Sequence, residues 1–337
     1  MRYKITNKIY NKVCDLAKSN YFLDNIVISL LGYDVLTKNP IYSYLYEAQM
    51  KKVMERFRDK PLKVIIENTN ICNSDCIFCV HSKMSRKIGF MDFSLYKNII
   101  DECASIRVKE VAVYRLGEPL LDREFSEKVT YAKKRGIEIV STNTNASLLN
   151  EENTIKILHS GLDVLYISLD ATSKEVYERI RRGLNYDIVI ENINRFIKLR
   201  NAKGKKLTII LNYCVTEENK YQIKDFINKW KNRVEQIWIS DTHDWSGVVG
   251  KKRDPLRRTD PCRLLWTEMV ISWDGKVPLC CIDYDDSILI GDVKKESINE
   301  IWNGEILKTF RECHINKQFG RISLCNNCTC NFFWWVA

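Results

Sequence analysis

Long apolar runs are absent from this sequence of 337 residues. The longest, at residues 26–31, is far too short to cross a bilayer, since a membrane-spanning helix needs roughly 20 apolar residues. After Met1 the amino terminus continues in polar residues, so the apolar core of a secretory signal peptide is missing as well. We therefore expect a soluble protein that works in the cytoplasm.

Sequence features of nucleic-acid binding are also missing, because there is no arginine-rich arm and no aromatic stripe interleaved with basic residues. Apolar residues make up 45% of the chain and charged residues 28%, as in a soluble globular protein. The net charge of +10 predicts a solvated basic surface, which would also suit an acidic electron donor or an anionic substrate. We expect neither nucleic acid nor a membrane among the partners.

Cysteine, in contrast, is abundant: the 13 residues are mostly clustered and are not spread as in a secreted disulfide framework. In a reducing compartment such clusters indicate metal ligands. Cys14, Cys103 and Cys313 stand apart and are interpreted as structural. The clustered cysteines are Cys72, Cys76, Cys79, Cys280, Cys281, Cys325, Cys328 and Cys330.

The chain divides into three predicted parts. Residues 1–60 carry apolar residues at helical spacing and are expected to form a helical cap. Residues 61–250 alternate strands with helices, and six such units predict an α/β fold, a partial (β/α)6 barrel of the TIM type. Residues 251–337 begin with a charged linker and are expected to form a small α+β domain. The barrel strands are predicted at 64–68, 108–116, 137–142, 164–170, 207–215 and 236–240.

The last part has a simple predicted order. Residues 269–272 and 277–279 flank Asp274-Gly275, which predicts a hairpin with a two-residue turn. Residues 298–302 and 305–312 are predicted to be helical. Cysteines both precede and follow these elements, so the domain is expected to bind metal.

Two of the predicted strands are polar along one side. Ser168 and Asp170 share one face of the fourth strand, and Asn212 and Cys214 share one face of the fifth. A packed barrel interior carries branched apolar side chains. Polar residues in that position therefore predict a cavity that holds a polar ligand.

The densest group of thiols lies just after the first predicted strand, in Cys72-Asn-Ser-Asp-Cys76-Ile-Phe-Cys79. Zinc needs four ligands, and His81 is the local candidate for the fourth. Three thiolates suit a four-iron cluster that keeps one iron open. The spacing C-x3-C-x2-C, with Phe78 before the last cysteine, resembles the signature of the radical S-adenosylmethionine (SAM) enzymes.

The resemblance to that family extends over residues 62–330. Gly117, Glu118 and Pro119, after the second strand, resemble the family's Gly-Gly-Glu motif, in which the carboxylate and nearby backbone bind the amino group of SAM. A glycine makes physical sense there, because backbone without a Cβ atom can approach a ligand closely. Leu116 stands where the first glycine often does, so the motif is imperfect.

The same resemblance implies further contacts to SAM. In the family, polar residues of the barrel strands lie near the ribose and carboxylate, and the aromatic residue of the cysteine motif packs beside the adenine. A hydrogen-bond network that merely stabilises the barrel is the alternative for the polar residues. The matching residues are Ser168, Asp170, Asn143 or Asn145, Asn212 and Phe78.

Membership of this family would imply a specific chemistry. SAM chelates the open iron, one electron from the reduced cluster breaks a carbon–sulfur bond, and methionine and a 5′-deoxyadenosyl radical result. The radical takes hydrogen from an unactivated C–H bond, while the protein positions substrate and excludes water. A low-potential electron donor such as flavodoxin or ferredoxin is the expected partner.

The carboxy-terminal cysteines carry a second resemblance. Their spacing around Gly275 is similar to the opening of the SPASM domain, which holds auxiliary iron–sulfur clusters. A complete SPASM domain has seven cysteines. This sequence lacks the full set and in this respect resembles the shortened "twitch" form. Structural zinc on the same residues stays open as the alternative. The resemblance implies one auxiliary 4Fe–4S cluster on Cys262, Cys280, Cys325 and Cys328, with Cys281 and Cys330 as alternative ligands.

Three residues are candidates for direct chemistry on substrate. His243 follows the sixth strand, where it would act as a general base or bind substrate, the alternative being a surface histidine. Cys214 would point into the barrel and give hydrogen to a substrate radical in an epimerase, the alternative being a core cysteine. Arg115 would bind an anionic group or pair with a barrel carboxylate.

We therefore predict a radical SAM oxidoreductase or epimerase that acts on a sugar-like or other small polar metabolite. A single auxiliary cluster would accept the second electron of a dehydrogenation. A maturase of ribosomal peptides is the first alternative, and the helical character of residues 1–60 argues against it because a leader peptide would need strands to pair with. A non-catalytic zinc or iron–sulfur scaffold is the second, and the intact thiol triad and Glu118 argue against it.

Overall fold

The computed structural model of the protein describes residues 40–243, 245–249, 260–326 and 328. The expectations for residues 1–39, for the linker at 251–255, and for Cys14 and Cys330 lie outside these residues. None of the described helices is long and apolar enough to span a membrane.

The helices of the described residues alternate with strands over most of the chain, as the sequence predicts. Their bounds are α1 Pro40–Arg56, α2 Phe93–Ser105, α3 Phe125–Lys134, α4 Glu151–Ser160, α5 Lys174–Ile180, α6 Tyr186–Ala202, α7 Ile223–Trp230, α8 Leu264–Thr267, α9 Ile298–Trp302, α10 Glu305–Ile315 and α11 Ser323–Asn326.

The strands include the six that were predicted for the barrel, with shorter bounds in most cases. They are β1 Lys63–Ile66, β2 Asp75–Cys76, β3 Glu110–Ala112, β4 Ile139–Thr144, β5 Val164–Ser168, β6 Arg181–Arg182, β7 Thr208–Val215, β8 Gln236–Asp241, β9 Glu268–Ile271, β10 Lys276–Pro278 and β11 Leu289–Asp292.

The central sheet has seven strands in the order β8-β7-β5-β4-β3-β1-β9, and all neighbours are parallel. The predicted α/β fold is therefore confirmed. Side chains cap some of the helices: Asp92 accepts the N–H groups of Ser94 and Leu95 at α2, and Ser297 forms a capping box with Glu300 at α9. Caps of this kind satisfy N–H groups that the first helical turn leaves without partners.

Alternation along the strands separates the two faces of this sheet. Leu165 and Ile167 of β5 are fully buried in the main apolar core, whereas Tyr166 between them is only partly buried. The Tyr166 ring contacts Trp238 of β8, two strands away, at a centroid distance of 5.2 Å. Side chains from strands that are not neighbours meet in this way on the concave side of a curved sheet. This side is called the inner face below.

The carboxy-terminal region is built partly on the barrel. β9, expected to be the first arm of a separate hairpin, instead pairs in parallel with β1 as the edge of the central sheet. The chain reverses at the predicted position, but through three residues and not two, because Ser272 N–H donates to Lys276 O at 2.8 Å and Gly275 has φ +89°. The second arm, β10, then pairs with β11. The hairpin prediction is wrong because the exposed edge of β1 offers β9 a longer parallel partner.

Helix α1 packs on the carboxy-terminal region. The Tyr46 hydroxyl donates to Pro261 O at 2.6 Å. The indole N–H of Trp302, a fully buried residue of α9, donates to Phe57 O at 3.1 Å. The segment that leads into the barrel is therefore fixed to the same elements that follow it.

Candidate active site

The loop after β1 carries the thiol triad and is fastened to the opposite side of the barrel. β2 pairs antiparallel with β6, so that Cys76 lies opposite Arg181, and Ile77 N–H donates to Ile180 O at 3.0 Å. The position at the carboxyl end of parallel strands is where open α/β sheets and barrels place their ligands. The three thiols are all partly buried and none forms a disulfide: Cys72, Cys76 and Cys79.

Two of the three thiols accept a hydrogen bond that would stabilise a thiolate. Arg181 Nη1 donates to Cys76 Sγ at 3.6 Å, and the backbone N–H of His81 donates to Cys79 Sγ at 3.4 Å. Burial raises the pKa of Cys72 to about 12. Because thiolates and not thiols bind iron, loading a cluster displaces these protons.

The His81 ring, the local candidate for a fourth zinc ligand, contacts the backbone before the thiol loop. Its ring Nε2 is 2.8 Å from Asn70 O, a contact that holds the ring beside the backbone. In the described part of the chain, no three His, Cys, Asp or Glu side chains converge on the position of a single metal ion. Tetrahedral zinc requires four ligands at about 2.0–2.3 Å. The zinc alternative for the two cysteine groups stays a prediction.

Asp170, just past β5, forms a buried ion pair with Arg181. The Asp170 side chain is 1% exposed and that of Arg181 9%, and Oδ2 accepts Nε at 2.7 Å and Nη2 at 2.6 Å. Oδ1 accepts the backbone N–H of Cys214 at 2.7 Å. The guanidinium also lies 5.6 Å from the centroid of the Phe78 ring. Asp170 thus positions the cation that contacts the thiol loop, and its carboxylate oxygens are both engaged in these contacts.

The Gly117-Glu118-Pro119 segment packs against the start of the thiol loop. A Cβ atom on Gly117 would lie 2.4 Å from Thr69 O and 2.7 Å from Ile71 O, so only glycine fits without moving backbone. The N–H of Glu118 donates to Ile71 O at 2.9 Å. Pro119 is buried, and its carbonyl accepts a hydrogen bond from the Asn68 side chain at 3.1 Å.

The Glu118 carboxylate is 2% exposed and already accepts three hydrogen bonds. Its donors are Leu120 N–H at 3.1 Å, Thr144 Oγ1 at 2.7 Å and Asn145 N–H at 2.7 Å. Burial raises the pKa of Glu118, although these hydrogen bonds act in the opposite direction. A carboxylate accepts about four hydrogen bonds, so one acceptor position is left for a further donor.

Asn143, Ser168 and Asn212 form a polar row at the upper rim of the inner face. Ser168 Oγ donates to Asn143 Oδ1 at 3.1 Å, and Ser168 is in register with Asn212. Asn212 Oδ1 is buried without a hydrogen-bond partner in the described structure. A buried acceptor of this kind costs free energy unless a ligand or water binds it, so the rim fits a polar ligand.

Below this rim the inner face is aromatic, which the sequence reading did not anticipate. Tyr166 contacts Tyr114 at a centroid distance of 6.3 Å and Trp238 at 5.2 Å. The floor is closed by an ion pair of 3.0 Å between Lys63 Nζ and Glu110 Oε1. The inner face therefore combines a polar rim, an aromatic wall and a charged floor.

Cys214 and His243, the two predicted catalytic residues, lie in different settings. Cys214 shares the face of Asn212 by strand alternation, and burial raises its pKa, so the thiol stays protonated. His243 is exposed and stacks edge-on against Trp245 at a centroid distance of 6.2 Å. The Trp245 indole N–H in turn donates to Phe78 O at 3.2 Å, which brings this segment to the thiol loop.

The four carboxy-terminal cysteines that the sequence singles out are partly buried in one region. The pKa of Cys280 is raised to about 12, and burial is the main cause. Cys262 and Cys328 lie close enough to Cys280 that a negative charge on either also raises this pKa. Cys328 N–H donates to Cys325 O at 3.2 Å, which closes a turn between these two residues. Cys281, an alternative ligand, is also near Cys280.

A charged network joins the segment after the thiol loop to the carboxy-terminal region. Arg86 binds the fully buried carboxylate of Glu67 through Nη1 at 2.6 Å and Nη2 at 2.5 Å. Arg115 Nη1 contacts Asp286 Oδ1 and Ser272 Oγ, each at 2.8 Å. Arg115 therefore pairs with a carboxylate, one of its two predicted roles, but the carboxylate belongs to the carboxy-terminal region.

Arg181, His314 and the Glu67–Arg86 pair were missed at the sequence level. Arg181 stands in a short basic run that gives no sign of a pairing with Asp170. His314 follows Cys313 just beyond the helix predicted at 305–312, and the presence of one of only four histidines so near a cysteine cluster was a signal that could have been used. Its contacts to Cys262 and Cys325 are described below.

Family models match most of the described chain. The radical SAM superfamily model covers residues 66–229, and the model of the SPASM iron–sulfur cluster-binding domain covers residues 262–329. These domains imply a 4Fe–4S cluster with SAM and an auxiliary iron–sulfur cluster. The thiol donor sets and the unpartnered Asn212 oxygen fit those groups.

Two relatives illustrate the sequence similarity. The tungsten-containing aldehyde ferredoxin oxidoreductase cofactor-modifying protein of Pyrococcus furiosus is 24% identical over 292 residues, covering 73% of this chain and 82% of that protein. A probable GTP 3′,8-cyclase of Saccharolobus islandicus is 29% identical over 216 residues, covering 62% of this chain and 66% of that protein.

Solved structures share the fold. The structure of BtrN in complex with AdoMet and 2-DOIA has a TM-score of 0.58 and 17% identity, covering 80% of this chain and 93% of BtrN. Streptococcus suis SuiB bound to the precursor peptide SuiA has a TM-score of 0.63 and 15% identity, covering 90% of this chain and 79% of SuiB. The chain belongs to the radical SAM superfamily and carries a carboxy-terminal SPASM iron–sulfur cluster-binding domain.

Proposed function

We propose that this enzyme takes hydrogen from a C–H bond of a sugar-like or other small polar metabolite and thereby oxidises or epimerises it. The observation that carries the proposal is the three-thiol loop at the carboxyl end of a parallel sheet, above an inner face with a polar rim. When bound there, a 4Fe–4S cluster and SAM supply a 5′-deoxyadenosyl radical. The residues of the chain hold these groups, orient substrate and exclude water.

The residues around the loop have distinct proposed roles. Cys72, Cys76 and Cys79 hold the cluster, and Phe78 packs beside the adenine of SAM. The open acceptor position on Glu118 and the close backbone at Gly117 suit the amino group of SAM. The polar rim suits its ribose and carboxylate, because its residues offer both donors and an unpartnered acceptor: Asn143, Ser168 and Asn212.

The auxiliary cluster is proposed to take the second electron of an oxidation. The four-thiol set of the SPASM domain would leave no iron open, so this cluster would not bind SAM. Arg86, through Tyr284 and Asp285, and Arg115, through Asp286, hold the SPASM region against the barrel. Its proposed ligands are Cys262, Cys280, Cys325 and Cys328.

The wall below the rim bears on the substrate. Tyr114, Tyr166 and Trp238 present aromatic surface, and small-molecule sites typically combine such surface with a few polar groups. A compact polar metabolite with a ring or carbon skeleton matches this lining. BtrN, whose structure holds AdoMet together with the small molecule 2-DOIA, has the same fold.

Two residues would decide the outcome of the reaction. A protonated Cys214 can give a hydrogen atom back to a substrate radical, which would make the reaction an epimerisation. The thiyl radical left on Cys214 would then take one electron, from the expected low-potential donor, and one proton to return to the thiol. His243 can instead accept a proton as a substrate radical is oxidised. Cys214 lies near the end of β7, and His243 lies two residues past the end of β8.

A peptide maturase is the second candidate. SuiB, crystallised with the precursor peptide SuiA, superposes on 90% of this chain. Saturable binding of a labelled acidic leader-type peptide to the basic chain, abolished by high salt and not competed by sugars, would favour the maturase.

The proposal of radical chemistry is tested by the formation of 5′-deoxyadenosine. The protein is reconstituted anaerobically with iron and sulfide, reduced in the presence of SAM, and compared with a Cys72/Cys76/Cys79→Ala triple variant and a Cys313→Ala control. Product from the wild type and the control, but not from the triple variant, is expected. Absence of product from iron-loaded wild type would return the protein to the scaffold interpretation.

The role of Cys214 is tested without a known substrate. In D2O its thiol carries deuterium, so a radical that finds no substrate and is quenched by this thiol yields deuterated 5′-deoxyadenosine. We expect deuterium incorporation in the wild type and its loss in Cys214→Ala. Equal incorporation in the two proteins would exclude Cys214 as a hydrogen donor.

A further inference from the structure

His314 of α10 lies within the proposed auxiliary cluster site and is 0% exposed. The backbone N–H of Cys262 donates to its Nδ1 at 3.1 Å. Its Nε2 is 3.4 Å from Cys325 Sγ. The ring also packs edge-on against Phe319 at a centroid distance of 5.1 Å. One buried imidazole thus contacts cysteines from the two ends of the SPASM domain.

The partners determine which ring nitrogen carries the proton. A backbone N–H can only donate, so Nδ1 must accept and carries no hydrogen. A neutral imidazole then has its hydrogen on Nε2. The contact to Cys325 is therefore an N–H···S hydrogen bond from His314 to the sulfur.

The helix that presents His314 is itself fixed. Arg311, one turn earlier on the same face, donates from Nε to Leu265 O at 2.9 Å and from Nη1 to Trp302 O at 3.0 Å. The guanidinium also lies over the Trp302 ring at 4.3 Å. The imidazole is therefore held in one orientation and does not depend on solvent for its hydrogen bonds.

We propose that His314 is a positioning residue that sets the reduction potential of the auxiliary cluster through its hydrogen bond to Cys325. An N–H···S bond draws negative charge from a thiolate sulfur and favours the more negative, reduced cluster, which raises the potential. Its bond from Cys262 keeps the donor aimed at that sulfur. This inference rests on the proposed assignment of Cys325 as a ligand.

The test uses full-length protein with Cys72/Cys76/Cys79→Ala, so that all iron belongs to the auxiliary cluster. His314→Asn keeps an acceptor near the position of Nδ1 but no longer reaches the sulfur. His314→Gln keeps a donor near the position of Nε2. Redox titrations followed by electron paramagnetic resonance report the midpoint potential of each, with the exposed His159→Asn as control.

We expect the Asn variant to lose about tenfold in the equilibrium constant for reduction, a shift of about 59 mV to lower potential for a one-electron couple. The Gln variant should lie between it and the wild type, and the His159 control should not move. Equal potentials in all variants with full iron would overturn the proposal. So would loss of iron from the Asn and Gln variants alike, since His314 would then be a ligand or a purely structural residue.

A Cys325→Ala variant in the same background separates the two assignments. If it keeps its iron, Cys325 is not a ligand, and both the ligand assignment and the role of His314 fail. If it loses iron while the His314 variants keep the wild-type potential, the ligand assignment stands and only the role of His314 fails.

Discussion

Replacing Asp170 with asparagine is expected to weaken the attachment of the thiol loop to the barrel. The substitution keeps the size of the side chain and an oxygen for the Cys214 N–H, but it removes the charge that pairs with Arg181. Arg181 would remain buried beside Cys76 and Phe78 without its carboxylate. The main consequence is therefore an uncompensated buried cation.

The magnitude follows from the burial of the pair. Removing one partner of a buried ion pair typically costs about 3–5 kcal/mol, whereas replacing both partners with apolar residues of similar size is often nearly neutral. With side chains 1% and 9% exposed, Asp170 and Arg181 belong to the buried class. We expect Asp170→Asn to lose about 3–5 kcal/mol of unfolding free energy, and Asp170→Leu with Arg181→Met to lose much less.

Urea unfolding of the cluster-free protein measures the free energy, and iron release to a chelator measures the hold on the cluster. The matched control is Asp187→Asn, which breaks the exposed Lys174–Asp187 pair of 2.6 Å. The Lys174 and Asp187 side chains are 46% and 66% exposed, so Asp187→Asn is expected to lower the unfolding free energy by only about 0–1 kcal/mol. Iron should leave the Asp170→Asn variant faster than the wild type or the control, because Cys76 loses an oriented donor.

Two results would refute this reasoning. A loss below about 1 kcal/mol in Asp170→Asn would place the pair among ordinary surface ion pairs. An unfolding free energy that falls as expected, together with unchanged iron release, would show that Arg181 does not position Cys76. The double replacement then distinguishes loss of the charge from loss of packing.

Three further outcomes are expected. Gly117→Ala should cost about 1–3 kcal/mol in urea unfolding, because its Cβ would meet backbone at 2.4 Å, whereas Gly320→Ala meets only ordinary contacts and should change little. Cluster loading should be faster at pH 8 than at pH 7. A Cys72 pKa of about 12 leaves the thiol mostly protonated in this range, so each pH unit raises the thiolate fraction about tenfold. A loading rate that falls as pH rises would contradict this. Glu67→Gln should cost less than the about 3–5 kcal/mol of a fully unpaired buried charge, because Arg86 loses its bidentate carboxylate but keeps Asp286 at 3.6 Å; a neutral effect on unfolding would show that the network is dispensable.

The spacing of a few residues was sufficient to identify the family. The triad Cys72, Cys76 and Cys79 and the later Cys262 carry chemistry through residue type and interval, which are properties of the sequence itself. Alternation of strands and helices likewise predicted the parallel sheet, since hydrophobic period and connection length constrain the topology. Strand ends and the pairing of β9 were less well predicted, because a free sheet edge competes with a local turn.

Tertiary structure decided which distant residues share a site. Arg181, which pairs with Asp170 at the other end of α5, meets Cys76 only because β2 pairs with β6 and brings the thiol loop across the barrel. The aromatic wall requires the curvature that places Tyr166 against Trp238 from two strands away. His314 reaches Cys262 and Cys325 only after α10 docks on the start of the domain. These contacts join residues that are far apart in the sequence, so they depend on how the whole chain folds. Local sequence patterns carry information only about residues that are close together in the sequence.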